Sequence, residues 1–195
     1  MNKLFFCFYL VFAFHSLCYA QTMKADTIRS TSSLLDKRIL RVNLLSPGVG
    51  AEFRTGNFSS LVFSTGITYF PAIEGMDVKD KIGSSPGLGY SFEPFLGVDY
   101  KLFYNLEKRK QKGKNIAYNS ANFVSLRSLT LGPPVSNNLV RQSNYDFLLF
   151  ASWGFQRSYN RIHLLFDTGP VFVFDGKGNT GFFPLLFRIN LGYNF

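Results

Sequence analysis

His163 stands four residues before Asp167 in the stretch HLLFD. An imidazole near a carboxylate is the start of a nucleophilic site, provided a serine or cysteine lies within hydrogen-bond reach of the ring. The stretch holds no such nucleophile, so His163 reads as one member of a polar network and no catalytic residue is assigned. GKGNTG, Gly176–Gly181, has the spacing of a phosphate-cradling glycine loop. That chemistry needs a following helix whose N-terminus holds the anion, and FFPLLF follows instead. The motif therefore reads as a glycine-rich turn.

Cys7, His15 and Cys18 all precede Gln21, and the segment that carries them reads as an export signal. Lys3 is its positive start, LFFCFYLVFAF its apolar run, and CYA the small residues before a cut ahead of Gln21. The run is shorter than the roughly 20 residues of a membrane-crossing helix. Residues 1–20 are thus expected to be a signal peptide, 21–37 a flexible periplasmic lead-in, and 38–195 the folded domain. Without the signal, the chain has no cysteine and one histidine. No disulfide, metal centre or cofactor is expected.

Lys and Arg number 21 against 12 Asp and Glu, a net charge of +9. A nucleic-acid partner would need that charge as a stripe on one face, and the basic residues form none, so no nucleic acid is expected. The one dense run, EKRKQKGK at Glu107–Lys114, suits a solvated turn or contact with anionic headgroups.

From residue 38 onward the period of the sequence is two, the period of a strand. Phe92, Leu96, Val98, Tyr100 and Leu102 alternate with Glu93, Phe95, Asp99, Lys101 and Phe103. Similar stripes run through Phe147–Phe155, Ile162–Phe174 and Leu185–Phe195. The pattern predicts strands near 58–70, 89–104, 116–131, 145–157, 162–174 and 183–195. Pro94, lacking an N–H, implies a bulge or break in its ladder. Between 38 and 54 the alternation changes phase at SPGV, Ser46–Val49. This reads as a type II turn between strands 38–45 and 48–54, with one long bulged strand as the alternative. Eight strands put short turns on the side of the chain ends and longer loops on the other.

An eight-stranded barrel can be a soluble carrier with its apolar face inward. The apolar faces here are too long and bulky for a small lumen, and the opposite faces hold charges of both signs. Arg41, Arg54, Lys101, Arg127 and Arg188 face Glu52, Glu93, Asp99 and Asp167 in near balance. Charge in lipid costs roughly 2–4 kcal/mol per Arg or Lys at the midplane, so the charged faces, with His163, are expected inside. Glu93 and Asp99 are the expected partners of Arg127 and Arg188. Asn194, also inward, is expected to tolerate substitution.

The closing stretch LLFRINLGYNF, Leu185–Phe195, and the early VNLLSPGVGAEFR, Val42–Arg54, resemble those of a family of small Gram-negative outer-membrane β-barrel domain proteins. The resemblance implies an all-β, eight-stranded antiparallel transmembrane β-barrel with short periplasmic turns and longer extracellular loops. It also implies outer-membrane lipid as surroundings and the β-barrel assembly machinery as a partner that reads Phe195 during biogenesis. That family has no common activity, and no extracellular ligand is assigned. A structural or loop-mediated binding role is expected, with a lipid-modifying enzyme or a narrow channel as alternatives. A small outer-membrane lipid A deacylase of similar architecture uses a lipid-facing His with a Ser two residues on; here Leu165 takes that place.

Overall fold

Residues that alternate apolar and polar can be satisfied only if each strand has an apolar medium on one side and polar partners on the other. The computed structural model describes residues 33–71, 79–80, 90–137, 139–140 and 143–195. The expected signal at 1–20, most of the lead-in at 21–37 and most of the loop at 71–89 lie outside the described residues. Eight main strands follow in order: β1 (Arg38–Asn43), β2 (Gly48–Arg54), β3 (Ser59–Pro71), β4 (Tyr90–Phe103), β5 (Asn122–Leu131), β6 (Asp146–Tyr159), β7 (Ile162–Asp175) and β8 (Thr180–Asn194). Each pairs antiparallel with the next, and β8 pairs back on β1 through Arg41–Asn194, Val42–Tyr193 and Asn43–Gly192. The result is one eight-stranded antiparallel ring sheet, a barrel-like all-β fold. On the loop side, Lys79–Asp80 pairs with Leu139–Val140, and Ser136–Asn137 adds to β4.

The stretch 38–54 is two strands, since Val42 pairs with Val49 and Asn43 with Gly48. The turn occupies residues 44–47, earlier than SPGV suggested, because Gly48 is already in the ladder. Gly48 serves close approach instead of the turn. A Cβ there would lie 2.3 Å from the Thr65 carbonyl oxygen.

Pro94 breaks its ladder on one edge: pairing with β5 stops at Phe95–Leu131 and resumes on Ser136–Asn137 at Phe92–Ser136, two residues out of step. The β3–β4 register runs through Ile67–Pro94, and the β4–β5 ladder ends one residue before it, at Phe95–Leu131. The Gly132 N–H closes on the Pro94 carbonyl at 2.8 Å. A second irregularity lies between β7 and β8, where pairing shifts from Gly169–Leu186 to Val171–Phe183. Pro170 on one strand and Pro184 and Leu185 on the other fall in that unpaired gap, and neither proline can donate to a ladder. The extra residue reverses the phase of β8: Leu185, Phe187 and Ile189 are exposed, yet beyond the bulge Phe182 is exposed and Phe183 packs inside.

The basic run forms a short helix, α1 (Leu106–Gln111), and β5 begins at Asn122 instead of near 116. Leu106 is buried with Leu35, Phe103, Ala121, Phe123 and Leu165, an apolar layer at the turn end of the interior. Leu35 belongs to the lead-in, so the last part of 21–37 is anchored where no period suggested structure. A second apolar layer, including Phe95, Leu129, Leu148, Phe150 and Val171, fills the loop end. Charged side chains lie between the two.

Candidate functional site

Charges inside a ring of this width must find partners, because a buried charge without one costs several kcal/mol. The belt between the apolar layers answers this with two connected clusters. In the first, Arg41 reaches Glu52 (3.4 Å), and Glu52 also accepts from Ser60 Oγ (2.8 Å) and Asn119 Nδ2 (2.7 Å). Asn119 Oδ1 in turn accepts the Asp36 amide at 2.8 Å. Lys101 Nζ donates to Gln156 Oε1 at 2.7 Å, and Gln156 Nε2 to the Asn119 carbonyl at 3.0 Å. In the second cluster, Arg188 grips Asp167 with both Nε and Nη2 and touches Asp99 at 3.3 Å. Ser152 Oγ adds a bond to Asp167 at 3.2 Å and lies 2.9 Å from Ser125 Oγ.

Of the ten belt residues named from sequence, Arg41, Glu52, Glu93, Asp99, Lys101, His163 and Asp167 are buried, and Arg127 and Arg188 are half-buried. Arg54 is not in the belt. It has the inward parity but sits at the last position of β2, exposed, donating to the Leu35 carbonyl at 3.2 Å. Of the expected pairings, Arg188–Asp99 is present among the described residues and the one involving Arg127 is not. Arg188 binds Asp167 and Asp99, whereas Arg127 makes no ion pair among the described residues. Glu93 lies nearer the loops, where Ser91 Oγ donates to it at 2.6 Å. Arg127 stands opposite Asp99 in the ladder, yet its guanidinium carbon lies 5.8 Å from the Phe95 ring centroid and its Nε is buried without a hydrogen-bond partner.

His163 is buried inside the ring with a neighbour the sequence did not suggest. Ser158, its direct cross-strand partner, places Oγ 3.5 Å from His163 Nδ1. The direction of this contact follows from the chain behind it. Arg41 Nε donates to Asn194 Oδ1 at 2.8 Å, which leaves Asn194 Nδ2 to donate to Ser158 Oγ at 3.0 Å. The one hydroxyl proton of Ser158 is then directed to Nδ1, so the neutral ring carries its own proton on Nε2. Among the described residues Nε2 has no partner. A serine that gives its proton to Nδ1, on a ring that no carboxylate among the described residues holds, forms an orienting relay for the imidazole. Asn194 is therefore bonded on both sides within the network, to Arg41 and to Ser158, more than its inward parity alone implied.

Beside the belt lies a cavity of about 320 Å³. It extends from Lys101 and His163 past Arg127 to Ser46 in the β1–β2 turn, with Leu129, Leu148, Phe150 and Val171 on its apolar side. The uncharged members of the belt were missed in the sequence. Ser152, Gln156 and Ser158 share the inward parity of β6, so the alternation that flagged charges could have flagged them. Asn119 carried no such signal, because it sits in the irregular segment after α1 with a positive φ of 58°. GKGNTG forms a hairpin turn over Gly176–Asn179, and its last two residues, Thr180 and Gly181, open β8. The Asp175 carboxylate accepts the amides of Lys177 (2.9 Å) and Asn179 (2.7 Å), with Gly178 at φ 91°. On α1, partial burial lowers the pKa of the Arg109 guanidinium. No family model, curated protein or solved structure matches this chain.

Proposed function

We propose that this chain is a bacterial outer-membrane β-barrel, exported by the signal at 1–20, with a structural or loop-mediated binding role and no catalytic step. The observation that carries the reading is the outer face of the ring. Leu96 is 66 % exposed, Phe187 60 % and Trp153 50 %, and each stands in a stripe of exposed apolar neighbours. Water would leave so wide an apolar surface uncovered, while lipid covers it and leaves the ionic belt inside. Aromatic residues at both ends fit the two interfaces. Tyr69 packs on Phe92 toward the loops, and Trp153 Nε1 donates to Tyr104 Oη at 2.7 Å toward the turns. The apolar layers above and below the belt favour a plugged interior over an open pore.

Fractionation of expressing cells tests this reading. The protein is expected in the outer membrane, extractable only with detergent, and with faster gel mobility before boiling than after. Solubility without detergent and equal mobility would overturn it.

Phe195 bears on assembly. Its amide donates to the Leu40 carbonyl at 2.9 Å, across the junction where β8 meets β1, and its exposed ring lies edge-on to Tyr193 with centroids 5.0 Å apart. An open sheet edge in lipid would leave backbone groups unsatisfied. Phe195→Ser is expected to lower the assembled, heat-modifiable band severalfold while export continues, and Phe195→Trp to be tolerated. Equal assembly of Phe195→Ser would show that the ring is not an assembly signal.

A further inference from the structure

We propose that the interior cavity binds a small amphiphilic carboxylate, with its headgroup on Arg127 and its aliphatic chain against the apolar layer at the loop end. This goes beyond the barrel reading and requires only the ring interior, not its lipid setting. A volume of about 320 Å³ is at the lower end of small-molecule sites. The charges on its wall select the sign of the ligand. Arg41, Lys101, Arg127 and Arg188 line it against one carboxylate, Asp99. Three of these cations are committed: Arg41 to Glu52 and Asn194, Lys101 to Gln156, and Arg188 to Asp167 and Asp99.

Arg127 is the remaining cation. Among the described residues it has no ion pair, and its Nε is buried without a hydrogen-bond partner. An entering carboxylate would supply both, in the two-pronged geometry a guanidinium favours. His163 also borders the cavity, and the Arg41–Asn194–Ser158 relay leaves its Nε2–H as a second, uncharged donor. Asp99, directly across the ladder from Arg127, repels a doubly charged group such as phosphate and so favours a single charge. The guanidinium lies over Phe95, and Leu129, Leu148, Phe150 and Val171 continue that wall. An anion without a tail would leave this surface uncovered.

The test uses the full mature protein in a non-ionic detergent, titrated calorimetrically with octanoate, octanol, acetate and octylamine. Octanoate is expected to bind saturably at one site per chain. Octanol and acetate should each bind about tenfold more weakly or worse, the scale of one lost charge-assisted bond, and octylamine not at all. Arg127→Gln should weaken octanoate by a similar factor, and Arg127→Lys should recover part of the loss. Ser64→Leu, which narrows the cavity from another wall and leaves Arg127 in place, should also weaken octanoate. No saturable octanoate binding, equal binding of octanoate and octanol, equal binding of acetate, or unchanged affinity in either Arg127→Gln or Ser64→Leu would each overturn the proposal. Saturable octanoate binding by a protein that proves soluble without detergent would uphold the site and overturn the membrane reading alone.

Discussion

Arg188→Leu is expected to destabilise the folded protein by about 3–5 kcal/mol, the cost of breaking a buried ion pair from one side. Arg188 holds Asp167 through two bonds, with Nε at 2.8 Å from Oδ1, and reaches Asp99 at 3.3 Å. Asp167 is fully buried. Leucine in place of the guanidinium leaves Asp167 without its ion pair and Asp99 without its closest cation, and among the described residues only the Ser152 side chain remains as a donor to Asp167. The adjoining cavity lowers the penalty to the extent that water reaches these groups. The midpoint of denaturant unfolding in detergent measures the effect, and Arg188→Leu combined with Asp167→Asn should recover part of it. Arg127→Leu is the comparison, since Arg127 has no ion pair among the described residues, and it should shift the midpoint markedly less. Equal shifts for the two leucine variants would show that the Arg188–Asp167 pair does not hold the interior together.

Glu52→Leu should cost a similar amount, about 3–5 kcal/mol, through a different set of contacts. Glu52 ties three pieces of chain together. It pairs with Arg41 of β1, accepts from Ser60 of β3, and accepts from Asn119 in the segment after α1. Asn119 in turn receives the Asp36 amide at 2.8 Å, which anchors residues 33–37. Removing the carboxylate strands a buried guanidinium and frees Asn119, so the loss should appear first at the turn end of the ring. Hydrogen exchange should rise at residues 33–37 and 115–121 before it rises in β6 and β7. Glu52→Gln keeps an acceptor for Asn119 or Ser60 and should fall between wild type and Glu52→Leu. Uniform exchange, or an unchanged midpoint in Glu52→Leu, would rule out this anchoring role.

Much of the fold is legible in the residues because strand alternation is a local property. Along β4, Phe92, Leu96, Val98, Tyr100 and Leu102 are exposed, while Glu93, Phe95, Asp99, Lys101 and Phe103 are buried, in step with the sequence. The reading of GKGNTG as a turn had the same local basis, since β8 and not a helix follows it. Local signals misled where they depended on what lay across the sheet. Pro94 breaks the ladder on only one of its two edges, since the β3 register runs through it unbroken, and the full bulge falls at Pro170 and Pro184, where neither chain can donate. Parity gave Arg54 the correct face but said nothing of depth, and a residue at the end of a strand meets solvent on either face.

The site itself was half legible. Nine of the ten charged or imidazole groups named from sequence do lie on the inside of the ring, because charge on an otherwise alternating face has few other places to go. Which of them touch was decided by the tertiary structure alone. Asp167 and Arg188 meet because β7 and β8 align in one register, and a slip of one residue would turn either side chain to the opposite face. Arg41 and Asn194 meet only because the last strand returns to the first. Ser158 reaches His163 across a hairpin, and Asn119 reaches Glu52 from a segment with no period at all. Hydrogen bonds and ion pairs act over a few ångströms between residues far apart in the chain. Alternation along one strand carries the direction of a side chain; register, closure and depth, which select its partner, arise only when the strands are assembled.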